Sequence, residues 1–157
     1  QQISITIEPL DFTSLLTGIE KKYEPLLKQK NLILKKNINT PLIFNMDHNI
    51  VMSVLSNLFD NAIKYTKQNG IIKLAALKTK EDILTFKITN TYRELDAREL
   101  KKLFEPFQRI ETNQNPGSGL GLTIVKKQLA QCNGKVFAKN SIAGLEFEVQ
   151  FSNQKLP

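Results

Sequence analysis

Asn57, Asn61, Lys64 and Tyr65 follow the i, i+4, i+7, i+8 spacing that a helix lays along one side. At about 100° per residue the first three share an arc of about 60°, with Tyr65 beside them. An Asn amide offers a carbonyl oxygen to a hydrated Mg²⁺, and a Lys ammonium offers a point charge to phosphate. Val51, Leu55, Leu58 and Ala62 fall on the adjacent arc and are expected to face a sheet, so the polar stripe would border a core face. Taken alone, such a stripe reads equally well as amides at a partly wet boundary.

Two further segments carry candidate chemistry. Gly117-Ser118-Gly119-Leu120-Gly121-Leu122 immediately precedes a helical pattern. Small residues let backbone N–H groups approach an anion closely, and a helix N-terminus adds partial positive charge, which is the chemistry of a phosphate cradle. A flexible loop before a helix would look the same, and what strengthens the cradle reading is a long polar loop leading in and an amphipathic helix leading out. Phe104-Glu105-Pro106-Phe107-Gln108-Arg109 places two Phe around a Pro, an expected apolar anchor for that loop. It leaves Arg109 to reach a phosphate or simply to stay solvated.

These residues need elements to hold them. Residues 3–7 alternate apolar and polar and are expected to form a strand ended by Pro9. A helical stripe of Leu15, Leu16, Ile19, Tyr23, Leu26 and Leu27 follows, capped by Asp11. Short strands are expected over 32–38 and 42–44, then a helix from the cap Asp47 to about Thr66, closed by Gly70. A hairpin over 71–77 and 83–89 precedes a weakly helical stretch at 96–103. The loop of 104–121 runs into a helix from about 120 to 132, stopped by Gly134, and a last hairpin joins 135–139 to 145–151 through Ala143-Gly144. This order fits an α+β fold, a two-layer α/β sandwich with helices on one face of a mixed sheet.

Composition bounds the reading. The 157 residues are 41% apolar, enough for one domain with its own core, 1–157, and no apolar run reaches the length of a membrane span. No signal peptide is read at the start, and Gln1 looks like a cut edge, so unseen sequence is expected before it. The single Cys132 excludes a disulfide framework, and the lone His48 excludes His-cluster metal chemistry. A net charge of +7 invites a nucleic-acid reading, but only Arg93, Arg98 and Arg109 of the 22 basic residues are Arg, and the lysines are scattered. A solvated Lys-rich surface is the better account, and no nucleic-acid partner is expected.

Together the three segments resemble one family. Asn57-Leu58-Phe59-Asp60-Asn61-Ala62-Ile63-Lys64-Tyr65-Thr66 looks like the N box of the sensor histidine kinases, Phe104 to Phe107 like their F box, and Gly117 to Leu122 like their second glycine box. Element order and spacing over nearly the whole chain are similar to that family's catalytic and ATP-binding domain, of the wider Bergerat-fold group. The resemblance implies a mostly antiparallel sheet of about five strands, three main helices on one face, and an ATP lid over about 108–118. It further implies that Asn61 coordinates Mg²⁺ bridging the ATP phosphates, with Asn57 near the metal or its water shell. Lys64 would approach the phosphates, Tyr65 would pack on the adenine and Arg109 would reach the γ-phosphate. Phe107 would lie at the nucleotide, and Gly117, Ser118, Gly119, Leu120, Gly121 and Leu122 would wrap the phosphate chain.

The resemblance also implies partners. The phosphoacceptor His would lie in a dimerisation domain ahead of this chain, a response regulator receiver domain would take the phosphate onward, and the intact kinase would be a membrane-anchored homodimer with this part, monomeric when isolated, in the cytoplasm. His48, just after a helix cap, is expected to be an ordinary helix-entry residue.

One segment departs from the pattern. Fourteen residues ahead of Phe104, where the family has Asp-x-Gly-x-Gly, this chain reads Asn90-Thr91-Tyr92-Arg93-Glu94. Asn90 can still accept a hydrogen bond from an adenine amino group, at a loss of about 1 kcal/mol or somewhat more. Tyr92 and Glu94 suit positive φ poorly, so a remodelled loop is expected, with either weakened ATP binding or an occluded, pseudokinase-like pocket. Leu145, where the family often has Thr, is expected to matter little.

Overall fold

A computed structural model describes residues 4–107 and 121–157. Along them run β1 (Ile7–Asp11), α1 (Phe12–Gln29), β2 (Ile33–Ile38), β3 (Ile43–Asp47), α2 (His48–Tyr65), β4 (Ile71–Lys78), β5 (Ile83–Asn90), α3 (Ala97–Lys102), α4 (Gly121–Gln131), β6 (Lys135–Ser141) and β7 (Gly144–Ser152). Five strands join in the order β2-β4-β5-β7-β6, parallel only between β2 and β4, while β1 and β3 form a separate antiparallel ribbon. This is the expected mixed, mostly antiparallel sheet.

The strand period of two sorts side chains between the faces. Ile72, Leu74, Ala76, Leu84, Phe86, Ile88, Leu145, Phe147, Val149 and Phe151 are buried, and α2 and α4 pack on that sheet, with α1 against α2. The intervening positions, among them Lys73, Lys87, Thr85, Glu148 and Gln150, make an opposite face without a helical cover among the described residues. The apolar stripe of α2 is buried as expected, Val51, Leu55, Leu58 and Ala62 all at 2% exposure or less.

Side-chain caps fix where the helices start. Asp11 accepts hydrogen bonds from the backbone of Thr13 and Ser14, and Asp47 accepts from Ile50 N at 3.0 Å and from Thr6 N at 2.7 Å. Each such cap contributes about 1 kcal/mol. Asp47 therefore both opens α2 and ties the chain ahead of β1 to it.

Three expectations are corrected. The first strand runs Ile7–Asp11 through Pro9 rather than stopping there, because β1 has a partner on one side only and the missing N–H of Pro9 deprives no ladder. In α1, Leu26 is exposed while Phe12 joins Leu16, Ile19, Tyr23 and Leu27 in the core. At the end of α4 it is Asn133, at φ 57°, that takes the left-handed conformation, and Gly134 serves instead to let the chain pass Gln150, whose carbonyl oxygen would be 2.9 Å from a Cβ there.

Candidate functional site

The polar stripe of α2 faces the start of α4. Asn57 Nδ2 donates to Ser53 O at 2.8 Å, which leaves its Oδ1 turned toward Gly121, where an added Cβ would lie 3.2 Å from that oxygen. One turn further on, Asn61 is half-buried and has no side-chain hydrogen bond among the described residues. Two amides thus stand side by side with carbonyl oxygens available to a hydrated cation. Among the described residues no group of three His, Cys, Asp or Glu could cage a metal, so a cation here would take the rest of its shell from water or a bound anion. The donor set fits Mg²⁺ held together with a phosphate ligand.

Lys64, on the same stripe, forms an i,i+4 ion pair with Asp60 at 2.9 Å, both side chains well exposed. Tyr65 is half-buried and meets Tyr92 edge to face, ring centres 6.2 Å apart and planes at 86°. The foundations of the helix are firm. Tyr23 stacks on Phe59 and its hydroxyl donates to Ser56 O at 3.1 Å, and burial with the nearby Asp60 charge pushes that phenol up. Lys30 Nζ donates to the carbonyls of Ile63 and Lys64 at 2.6 and 3.3 Å, capping the C-terminus of α2, and desolvation lowers its pKa.

Asn90 ends β5 on the helix-facing side at 1% exposure, between Ile72 and Leu145 in the register. Its Nδ2 donates to Thr91 O at 3.3 Å. The chain after it is stapled at several points. Thr91 bonds the backbone of Ile71 through both N and Oγ1, Arg93 grips the Glu99 carboxylate in a fork at 3.0 and 2.7 Å, and Asn140 bonds both N and O of buried Leu95. Neither Tyr92 nor Glu94 has a positive φ, so this loop takes a backbone path open to residues with side chains.

The Phe104–Phe107 segment divides. Phe104 packs edge to face on Phe147, with centroids 6.1 Å apart, and its carbonyl accepts from Thr123 Oγ1 at 3.0 Å. Phe107 is 72% exposed, so only one of the two rings anchors the loop, contrary to the expected pair. Its backbone takes the left-handed conformation, at φ 61°. Leu122 is buried in the first turn of α4. Arg109, Gly117, Ser118, Gly119 and Leu120, with the roles expected of them, and the expected lid of 108–118 lie outside the described residues.

Several positions escaped the sequence reading. Thr123 and Asn140 act through contacts between distant segments, as does Gly144 beyond the turn expected of it, and a single sequence holds no signal for such contacts. The Asp96-x-x-Glu99 capping box, with both reciprocal bonds formed, was visible as a pattern ahead of the weak helix.

With this geometry in view, the comparisons define the class: the chain belongs to the histidine kinase-, DNA gyrase B-, and HSP90-like ATPase family, whose model matches residues 46–155. Among sequence relatives, it is 34% identical over 140 residues to the aerobic respiration control sensor protein ArcB homolog of Haemophilus influenzae, covering 87% of this chain and 42% of that protein. It is 31% identical over 139 residues to the sensor histidine kinase RcsC of Escherichia coli, covering 84% and 14%. The chain spans less than half the length of these curated relatives. The catalytic domain of the histidine kinase ThkA superposes with a TM-score of 0.85 at 24% identity, covering 96% of this chain and 97% of that one, which shows the fold.

Proposed function

We propose that this chain is the ATP-binding catalytic domain of a sensor histidine kinase, moving the γ-phosphoryl group of ATP to a histidine on an adjoining dimerisation domain in two-component signalling. The observation that carries the reading is the pair of amides on α2, Asn57 with its carbonyl oxygen turned to the start of α4 and Asn61 one turn along without a side-chain hydrogen bond among the described residues. Bound Mg²⁺ would supply charge neutralisation between the phosphates. The residues then have distinct tasks. Asn61 and Asn57 would hold the hydrated cation, Asn90 accepts a hydrogen bond from the base, and Tyr65 offers it a ring face. The backbone N–H groups at the N-terminus of α4 favour the negative phosphate chain. Lys64 leaves Asp60 to meet a phosphate, and Arg109 and the glycines of 117–121 act from the lid.

Transfer breaks the bond between the γ-phosphorus and the β,γ-bridging oxygen, forms a P–N bond to the acceptor imidazole and releases ADP, and the domain contributes alignment and charge stabilisation rather than a nucleophile. His48, exposed in the first turn of α2, is not the acceptor. The acceptor belongs to the partner domain, and a response regulator receiver domain takes the phosphoryl group next. The whole kinase is a membrane-anchored dimer with this domain on the cytoplasmic side. Among the described residues no helix is long and apolar enough to cross a membrane.

Calorimetric titration with Mg²⁺ and ADP tests the reading. Saturable binding that Asn61→Ala reduces by about tenfold or more is expected, and absence of heat at millimolar nucleotide would overturn it. With radioactive ATP the isolated domain stays unlabelled, and stable label on His48 would contradict the assignment of the acceptor.

A further inference from the structure

The face of the sheet turned away from the helices carries a shallow open trough of about 310 Å³, lined by Lys35, Lys73, Lys87, Thr89, Ala75 and Ala143 among others. Its shape follows from the register. Lys35 on β2 lies directly opposite Lys73 on β4, Lys73 opposite Thr89 on β5, and Lys87 is two residues along from Thr89 on the same face. Neighbouring strands are about 4.8 Å apart, so the three lysines rise from adjacent strands within a span of about 10 Å. Ala75 and Ala143 are small, and a hollow remains between the longer side chains.

The charge there is unbalanced. Lys87 has Glu148 at 3.6 Å, and Glu146, a carboxylate that itself lines the trough, is paired with Lys139 at 3.4 Å. Lys35 and Lys73 have no carboxylate partner among the described residues, and like charges directly opposite on paired strands repel each other. The fold tolerates this repulsion although nothing on the helix side needs it. An anionic occupant would remove it.

We propose that this trough is a docking surface for an acidic segment of a protein partner. The depression is open to solvent rather than closed around a small anion. The same face continues into two exposed apolar side chains, Leu77 on β4 and Phe137 on β6, which a free anion would leave uncovered and an extended peptide would cover. The surface also lies behind the candidate nucleotide site, since Thr89 points into the trough while its neighbour Asn90 points to the helix layer. A partner bound there leaves the helix side accessible.

A fluorescent peptide alternating Glu and Val, titrated into the 157-residue chain, tests this. Binding is expected at about 50 mM salt, weakening several-fold at about 300 mM as the charges are screened. Paired reversal, Lys35→Glu with Lys73→Glu, is expected to weaken it by about tenfold or more, while the same charge change at exposed Lys126 and Lys127 on α4 leaves it within about twofold. Should the reversal unfold the chain, Lys35→Gln with Lys73→Gln serves in its place, and NMR shifts on the native chain are expected at Ala75, Thr89 and Ala143. Equal losses from both pairs of reversals, shifts confined to α2 or α4, or no binding at all would overturn the proposal. Displacement of the peptide by pyrophosphate at equal concentration would also overturn it, by marking the trough as a small-anion site.

Discussion

Gly144 lies so close to the carbonyl of Asn90 that a Cβ on it would overlap that oxygen, and its φ of +131° is one that side-chain-bearing residues rarely adopt. The β6–β7 turn therefore sets the position of the buried amide. Gly144→Ala is expected to cost about 2 kcal/mol or more, lowering Tm by about 4–8 °C, and to weaken nucleotide binding as Asn90 shifts. Calorimetry of melting and of ADP binding reads both. Unchanged melting would show that the approach is looser than described.

Asn90→Asp separates folding from recognition. A carboxylate at 1% exposure between Ile72 and Leu145 lacks a cation and destabilises the empty domain. As the base acceptor it would gain about 1 kcal/mol toward an adenine amino group, a roughly five-fold tighter ADP complex. A lower Tm without ligand with a larger ADP-induced rise in Tm is the expected pair of results, and loss of binding would remove Asn90 from the base-reading role.

Thr123 joins the start of α4 to the Phe104 carbonyl at 3.0 Å. Thr123→Val keeps the shape and leaves that carbonyl without its donor, costing about 1–3 kcal/mol. Hydrogen exchange at Phe104 and in the first turn of α4 should accelerate while exchange in α1 stays as it was. Uniform acceleration would mean that the bond is merely one contribution to global stability.

Glu99 carries a pH signature. The Arg93 guanidinium, and then the backbone N–H of Asp96, hold its carboxyl down to about 2 from an ordinary 4.5. A carboxylate depressed in the folded state stabilises fully above its unfolded pKa and loses that contribution as pH falls through the folded one. The clamp between Arg93 and Glu99 should therefore weaken between about pH 4.5 and about pH 2. NMR titration of the Glu99 side chain is expected to give the low midpoint, and Arg93→Gln to raise it toward the ordinary value.

Much of this architecture is legible in the chain because it depends on local periodicity. The stripe of Val51, Leu55, Leu58 and Ala62 told which side of α2 would be buried, and the polar stripe beside it followed by geometry. Asp11 and Asp47 declared themselves as caps by their place before apolar repeats. What failed to show was non-local. Pro9 looks like a stop to local rules, and only the one-sided pairing of β1 with β3 makes it harmless. Phe107 resembles an anchor in the sequence, yet only Phe104 finds a ring partner, Phe147, from a distant strand, and Phe107 stays exposed. Lys35 and Lys73 are 38 residues apart, so their juxtaposition appears only once β2 and β4 are aligned.

The recurrent family pattern begins at residue 46, yet α1 lies wholly before it and gives Phe12, Leu16, Ile19, Tyr23 and Leu27 to the core. Tyr23 and Lys30 hold the carbonyls of Ser56, Ile63 and Lys64 on the helix that bears the candidate site. α1 is thus part of the packed unit although it lies ahead of the residues the family model matches. A chain begun at Met46 would keep the signature residues and expose the underside of the helix that presents them, so excision or transplantation of this module has to carry α1 with it.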